Sequence, residues 1–309
     1  MSDAPIAVSV QAEPKDAASW LALARRVDAG GFATFYAADH PGSGASPFVA
    51  LAAAAVVTER VALGTCVVNA GLWEPIALAS EVATLDVVSG GRALLGLGAG
   101  HTPAEWDAVG RTVPSAGARV DRLEEVVAVV RRLLAGDEVT VDGSHVRATA
   151  ARLAEPRPVQ DPVPLMVGGA GRRVLALGAR EADVVGVTGM GRTLADGHRH
   201  VVDWTEADLE ASFGALHAAI AAAGAGTAPA IEALVQHVEV TDDPEAAAAR
   251  LGEKIEIDPA HLLDVPYVWL GPVDAIAAQL RRHRERWGVD RYVVRVPALD
   301  AATEILRIL

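Results

Sequence analysis

Two hydrophobic periods alternate along this chain. Short apolar, largely β-branched runs read as strands, and each is followed by a longer stretch with apolar residues at helical spacing. Strands are expected at residues 6–10, 32–37, 61–68, 93–97, 165–167, 184–187, 233–240 and 292–296. Helices are expected at 18–29, 47–58, 75–89, 120–134, 173–180, 209–223, 245–255, 273–287 and 301–309. Gly30-Gly31 and Gly90-Gly91 stand where helices must stop, since glycine tolerates the left-handed turn that ends them. Residues 137–148 read as an inserted hairpin turning at Asp142-Gly143, and 156–164 as a proline-rich connection. Residues 189–202 read as an irregular loop, and 258–269 fit neither period. Eight strand–helix alternations over residues 1–309, with no dividing linker, predict a single-domain α/β fold, a (β/α)8 TIM barrel with insertions. A doubly wound open sheet is the alternative.

A barrel of this kind gathers the carboxyl ends of its strands into one mouth, so polar residues there are candidates for chemistry. Asp39-His40 ends the second strand, and His101 ends the fourth. An imidazole transfers protons near neutral pH, and an adjacent acid can orient it. His40 and His101 are therefore the catalytic candidates, with a satisfied structural histidine as the plain alternative. Gly96-x-Gly98-x-Gly100 also ends the fourth strand, with Asp121 at a distance that suits a ribose contact. The third glycine is misplaced for a dinucleotide fingerprint, and three strand–helix units precede it. Gly98, Ala99 and Gly100 are read instead as backbone that a flat ring or a substrate can approach, or simply as a tight turn. Gly168-Gly169-Ala170-Gly171-Arg172 opens the helix after the fifth strand, a pattern whose amides and cation suit a phosphate. Thr188-Gly189-Met190-Gly191-Arg192 after the sixth strand could serve the same end.

Composition then narrows the classes. A net charge of −13 disfavours a general nucleic-acid or anionic-membrane binder. A lone cysteine, Cys66, excludes an intrachain disulfide and disfavours a cysteine-based zinc site. His198-x-His200 lacks further ligands, so a solvated loop rather than a metal site is expected, and residues 281–286 read as a solvated helix face. No apolar run reaches membrane-spanning length and no secretory signal is visible, so the cytoplasm is the expected location. Neither a Gly-x-Ser-x-Gly elbow nor a phosphate-binding loop of the NTPase type is present.

Several of these segments, in order, resemble the luciferase-like monooxygenase superfamily, and within it the branch using the deazaflavin coenzyme F420. They are Ala29-Gly30-Gly31-Phe32 leading to Asp39-His40; Val61-Ala62-Leu63-Gly64-Thr65-Cys66-Val67; Leu85-Asp86-Val87-Val88-Ser89-Gly90-Gly91-Arg92; Leu95 to Gly100; Val167-Gly168-Gly169; and Gly271-Pro272 with Gly288-Val289-Asp290. The resemblance implies a non-proline cis peptide at Cys66-Val67, behind the ring of the cofactor. It implies Asp39, His40, Cys66, Val67, the fourth- and fifth-strand glycines and the 188–192 segment as cofactor contacts, with Arg192 near the phosphate. Its enzymes move a hydride between F420 and a small organic substrate. An FMN-dependent monooxygenase fed by a separate reductase is the runner-up, and a non-catalytic flavin-binding barrel the third reading. Homodimers packed through the helices at 47–58 and 75–89 are expected. Two departures stand out: His101 occupies the place of a catalytic glutamate, and Pro41-Gly42-Ser43-Gly44 that of a tryptophan after the histidine.

Overall fold

The computed structural model describes residues 5–193, 200–224, 226 and 228–309, without the side chains of residues 192, 193 and 200. Eight parallel barrel strands run in chain order: Ala7–Ala12, Thr34–Ala37, Ala62–Thr65, Ala93–Gly98, Leu165–Gly168, Val184–Val187, Ala230–Leu234 and Val289–Arg295. Each pairs with its neighbour, and the eighth closes on the first from Ala7 opposite Arg291 to Gln11 opposite Arg295. The ring is wrapped by α1 (Ala17–Ala29), α2 (Pro47–Ala55), α3 (Pro75–Ser89), α4 (Pro103–Ala108), α5 (Ala116–Leu134), α6 (Arg172–Glu181), α7 (Glu206–Ala223), α8 (Pro244–Ile255), α9 (Val273–Trp287) and α10 (Leu299–Leu306). The closed barrel, not the open sheet, is therefore the fold.

Local chemistry sets these boundaries. Asp16 caps α1 by accepting from the Ser19 amide at 2.9 Å, and the helix buries Trp20, Ala24 and Val27 at helical spacing. α3 ends at Gly90 in the left-handed conformation, φ +69°. The Leu85-to-Arg92 segment that carries part of the family resemblance proves to be a structural knot at the amino ends of the strands. Asp86 is fully buried and accepts from the amides of Ala93, Val159 and Gln160 and from the Gln160 side chain. The Arg92 guanidinium donates to the carbonyls of Ala55, Thr58, Val61 and Ser89 and to the Thr58 hydroxyl. It thereby satisfies carbonyls that the end of α2 leaves open.

The third strand departs from its expected span at 61–68. It stops at Thr65, breaks at the cis peptide Cys66-Val67, and resumes as Val68–Asn69 beside Leu97 and Gly98. The Thr65 hydroxyl bridges the break, donating to the Gly96 carbonyl and accepting from the Gly96 amide, both at 2.9 Å. The fourth-strand glycines make room for this break. A Cβ at Gly96 would lie 2.0 Å from the Thr65 carbonyl oxygen, and one at Gly98 2.7 Å from Val67 Cγ2.

Four other expectations change. Residues 189–202 are not wholly irregular, because Met190–Thr193 pairs antiparallel with His200–Val202. The seventh strand is shorter than 233–240; its second part, His237–Val240, leaves the barrel to pair with Val268–Gly271, a strand that begins at the end of the segment that fitted neither period. The inserted hairpin, Val139–Asp142 with Arg147–Ala151, has a wider turn than Asp142-Gly143 alone; Glu125 of α5 holds it by accepting from the amides of Ser144, His145 and Val146. Within the 281–286 face His283 is buried, bonded through Nε2 to Asp264 at 3.2 Å. Among the described residues no helix is long and apolar enough to cross a membrane.

Candidate active site

At the carboxyl ends of the strands lies a cleft of about 1010 Å³, near the upper end of small-molecule sites, which run from roughly 300 to 1,000 Å³. Asp39, His40, Cys66, Val67, Gly98, Ala99, Gly100, His101, Gly168, Gly169, Ala170, Gly171, Thr188 and Met190 all line it. Gly189 does not; it is enclosed by Tyr267 and Trp204. Arg172 is exposed at the start of α6, next to Gly171 but not itself among the lining residues. The Arg192 side chain lies outside the described residues, as does His198. Asp121 makes no cleft contact: Arg173 of α6 binds it at 2.7 Å together with Glu124 at 3.1 Å, so the ribose reading gives way to an inter-helix ion pair.

The chemistry concentrates around His40. Its Nδ1 lies 2.8 Å from Oε1 of Glu105, a residue of α4 that is only 4 % exposed. Glu105 also accepts at Oε2 from Nδ2 of Asn69, at 2.8 Å. Asn69 is the hub: its Oδ1 accepts from the Gly71 amide, and its own amide donates to Asp39. Asp39 Oδ2 further accepts from the Trp73 indole at 2.9 Å. The hydrogen bond to Glu105 raises the His40 pKa above the ordinary imidazole value against the opposing effect of burial. Burial works to raise Glu105, but its bonds to His40 and Asn69 outweigh it and hold the carboxyl below the usual range. Burial raises Asp39, only partly offset by Trp73 and Asn69. The pair thus favours imidazolium beside carboxylate, with Nδ1 committed to Glu105 and Nε2 left for the cleft.

His101 stands at the rim, its ring perpendicular to that of His40 with centroids 6.5 Å apart. Four residues downstream of His101, Glu105 brings a carboxylate to His40. Glu105 escaped a reading based on strand ends because it sits on a short helix beyond the glycines. Its trace in the sequence is Thr102-Pro103, a helix start that places the acid in the first turn. Asn69 escaped because it follows the strand break. Its place explains Gly100, where φ is +74° and a Cβ would lie 2.0 Å from Asn69 Oδ1.

Deeper in the barrel, Glu232 accepts from the Ser9 hydroxyl at 2.9 Å and the Tyr36 hydroxyl at 2.7 Å, with Arg291 Nε 3.5 Å away. Gln11 donates to the Cys66 carbonyl at 2.6 Å, pinning the broken strand from the first strand's end. Burial pushes the Cys66 thiol up to about 12, so it stays protonated and is no nucleophile. Among the described residues no cluster has the makings of a metal site.

Residues 4–291 match the family model described as luciferase-like monooxygenase. An F420-dependent glucose-6-phosphate dehydrogenase from Beutenbergia cavernae is 33 % identical over 193 residues, covering 60 % of this chain and 56 % of the relative. The chain thus spans little more than half the length of that curated relative. Among solved structures, the coenzyme F420-dependent tetrahydromethanopterin reductase from Methanopyrus kandleri superposes with a TM-score of 0.75 at 20 % identity, over 98 % of this chain and 97 % of that one. A monooxygenase from Streptomyces bottropensis gives 0.71 at 23 % identity, over 97 % and 96 %. At these identities the two structures speak to the fold alone.

Proposed function

The chain belongs to the luciferase-like monooxygenase family, and on that footing we propose that it is a coenzyme F420-dependent oxidoreductase acting on a small organic substrate. The observation that carries this reading is the His40–Glu105 pair beside a cleft large enough for a flat cofactor and a substrate together. F420-dependence in the glucose-6-phosphate dehydrogenase relative supports the choice of cofactor.

The residues present fit such a group. Val67 and the backbone of Gly98, Ala99 and Gly100 line the cleft side by side, a surface of small groups against which a ring can lie. α6 is preceded by Gly171, which offers no side-chain cap, so its first-turn amides are open to an anionic arm. When bound, the deazaflavin supplies the acceptor or donor of a hydride. The protein's part is proton transfer: His40 Nε2 takes the proton from a substrate oxygen as hydride leaves the carbon, or returns it in the reverse direction. Glu105 fixes the ring tautomer by accepting from Nδ1 and stabilises the imidazolium as it forms. Asn69 holds Glu105 in place, and Asp39 holds Asn69. These carboxylates orient the base; His40 is the catalytic residue.

Direct titration of the protein with F420 and, separately, with FMN tests the cofactor. Preference for F420 supports the proposal. Preference for FMN would move the chain to the oxygen-activating side of its family, with a separate reductase as partner, and binding of neither would leave a non-catalytic barrel. A second copy of the chain is the partner we propose for α2 and α3, where Val49, Val56, Ile76, Val87 and Val88 stay exposed, from 41 % for Ile76 to 76 % for Val56. Sedimentation of the wild type as a monomer would remove that part.

A further inference from the structure

A second cavity, of about 480 Å³, opens beside the main cleft and shares Gln11, Glu13, Ala38 and Arg295 with it as a common wall. Beyond that wall it is mostly apolar, bounded by Trp20 and Leu23 of α1 and by Val296 and Pro297 after the eighth strand. Trp20 turns its polar end away: the indole N–H donates to the Ala50 carbonyl at 2.8 Å, while the ring packs on Phe35. Val296 is 41 % exposed, an apolar surface left open at the rim. Arg295 stands on the shared wall with neutral partners. Its Nη1 donates to Gln236 Oε1 at 3.0 Å and, weakly, to the Val235 carbonyl at 3.5 Å, and no described carboxylate pairs with it. Lys15 adds a second positive charge at the outer edge. Glu13, the one acid on the shared wall, lies toward the His40 loop, its Oε1 3.4 Å from where a Cβ on Gly44 would sit.

We propose that this side cavity is the substrate's tail subsite, and that the substrate is a carboxylate with an apolar chain of medium length. The chain fills the space between Trp20, Leu23 and Val296, and the carboxylate meets the Arg295 guanidinium. A guanidinium engaged by neutral acceptors alone keeps donors for a carboxylate. The alcohol or carbonyl carbon that such a substrate must also carry, the one that exchanges hydride, is thereby held at the wall of the cleft that His40 lines. This assignment rests on the redox reading of that cleft.

Calorimetric titration with straight-chain alkanoates from butanoate to decanoate tests it, on the protein with and without F420, against octan-1-ol as the uncharged match. Affinity is expected to rise by about fourfold per added methylene, as burial of each methylene predicts, and to level off once the cavity is full. Arg295→Gln should weaken octanoate at least tenfold and leave octanol unchanged, whereas Arg295→Lys should retain most of the binding. Leu23→Trp, which fills the cavity, should abolish the dependence on chain length. Thermal melts confirm that each variant is folded. No alkanoate binding, affinity indifferent to chain length, or equal losses for octanoate and octanol in Arg295→Gln would overturn the proposal. Failure of F420 to bind would overturn the F420 reading of the main cleft instead, because the alkanoate titration reads out without the cofactor.

Discussion

The two ends of this barrel treat buried charge in opposite ways. At the amino ends of the strands, Asp86 accepts four hydrogen bonds and Arg92 donates five. Their partners are mostly backbone, so these side chains complete the accounts of α2, α3 and the proline-rich connection. At the carboxyl ends, Asp39 and Glu105 each accept two bonds, and Arg295 finds two neutral acceptors. Charge that is saturated by the chain itself holds the fold. Charge left with open valence, facing a cleft, is available to a ligand or a proton. The division follows the barrel's polarity, in which the amino face carries stability and the carboxyl face carries chemistry.

The sharpest way to break this comparison is His40→Ala. Loss of a general acid–base group costs turnover roughly 10²- to 10⁴-fold, while the half-exposed ring fills no part of the core and the variant should still fold; steady-state kinetics beside a thermal melt would read both. Unchanged turnover would remove His40 from the mechanism. Asp86→Ala should do the reverse, destabilising by about 3 kcal/mol or more, since three backbone amides and an amide side chain lose a buried acceptor at once. Denaturant titration gives that figure, and turnover per folded molecule should stay near wild type. Gly100→Ala joins the two ends of the scale. It forces a side chain onto a positive-φ position and into the Asn69 carboxamide, which should cost about 1–3 kcal/mol. It should also lower turnover, through the displaced Asn69–Glu105 bond. A variant with full activity would show that Asn69 does not position the acid.

The same contrast explains what the sequence disclosed. The barrel was legible because burial on both faces writes each parallel strand as an apolar run, and helices such as α1 and α3 carry their caps and stops in place. His40, His101 and the glycines were legible because they end those runs. Glu105 and Asn69 were not, since each is placed by an irregularity. Asn69 follows a strand break, and Glu105 sits in a one-and-a-half-turn helix with no apolar period to announce it. Asp86 and Arg92 stood out only through family resemblance, and their partners, spread from Ala55 to Gln160, could be found only in three dimensions. Residues 189–202 misled for a related reason: the paired strands Met190–Thr193 and His200–Val202 are too short to show a period.

The smallest effect expected is also the most diagnostic, because it separates orientation from charge at the open end. Glu105 raises the His40 pKa, so Glu105→Gln should move the His40-dependent limb of the pH–rate profile to lower pH, whichever direction of reaction is followed. In the oxidising direction, where His40 must be neutral, the rate rises with pH and that rise should begin earlier. In the reducing direction, where it must carry the proton, the fall should begin earlier. Stability follows from the same shifts. The raised His40 contributes fully below the ordinary value of 6.5 and fades as pH climbs through its folded value; the lowered Glu105 contributes fully above 4.5 and fades as pH falls through its own. Their joint contribution is therefore greatest between those two ordinary values, and the gap in unfolding free energy between wild type and Glu105→Gln should widen there and narrow on both sides. A gap that stays flat from acid to alkaline pH would mean that Glu105 orients the ring without holding its charge.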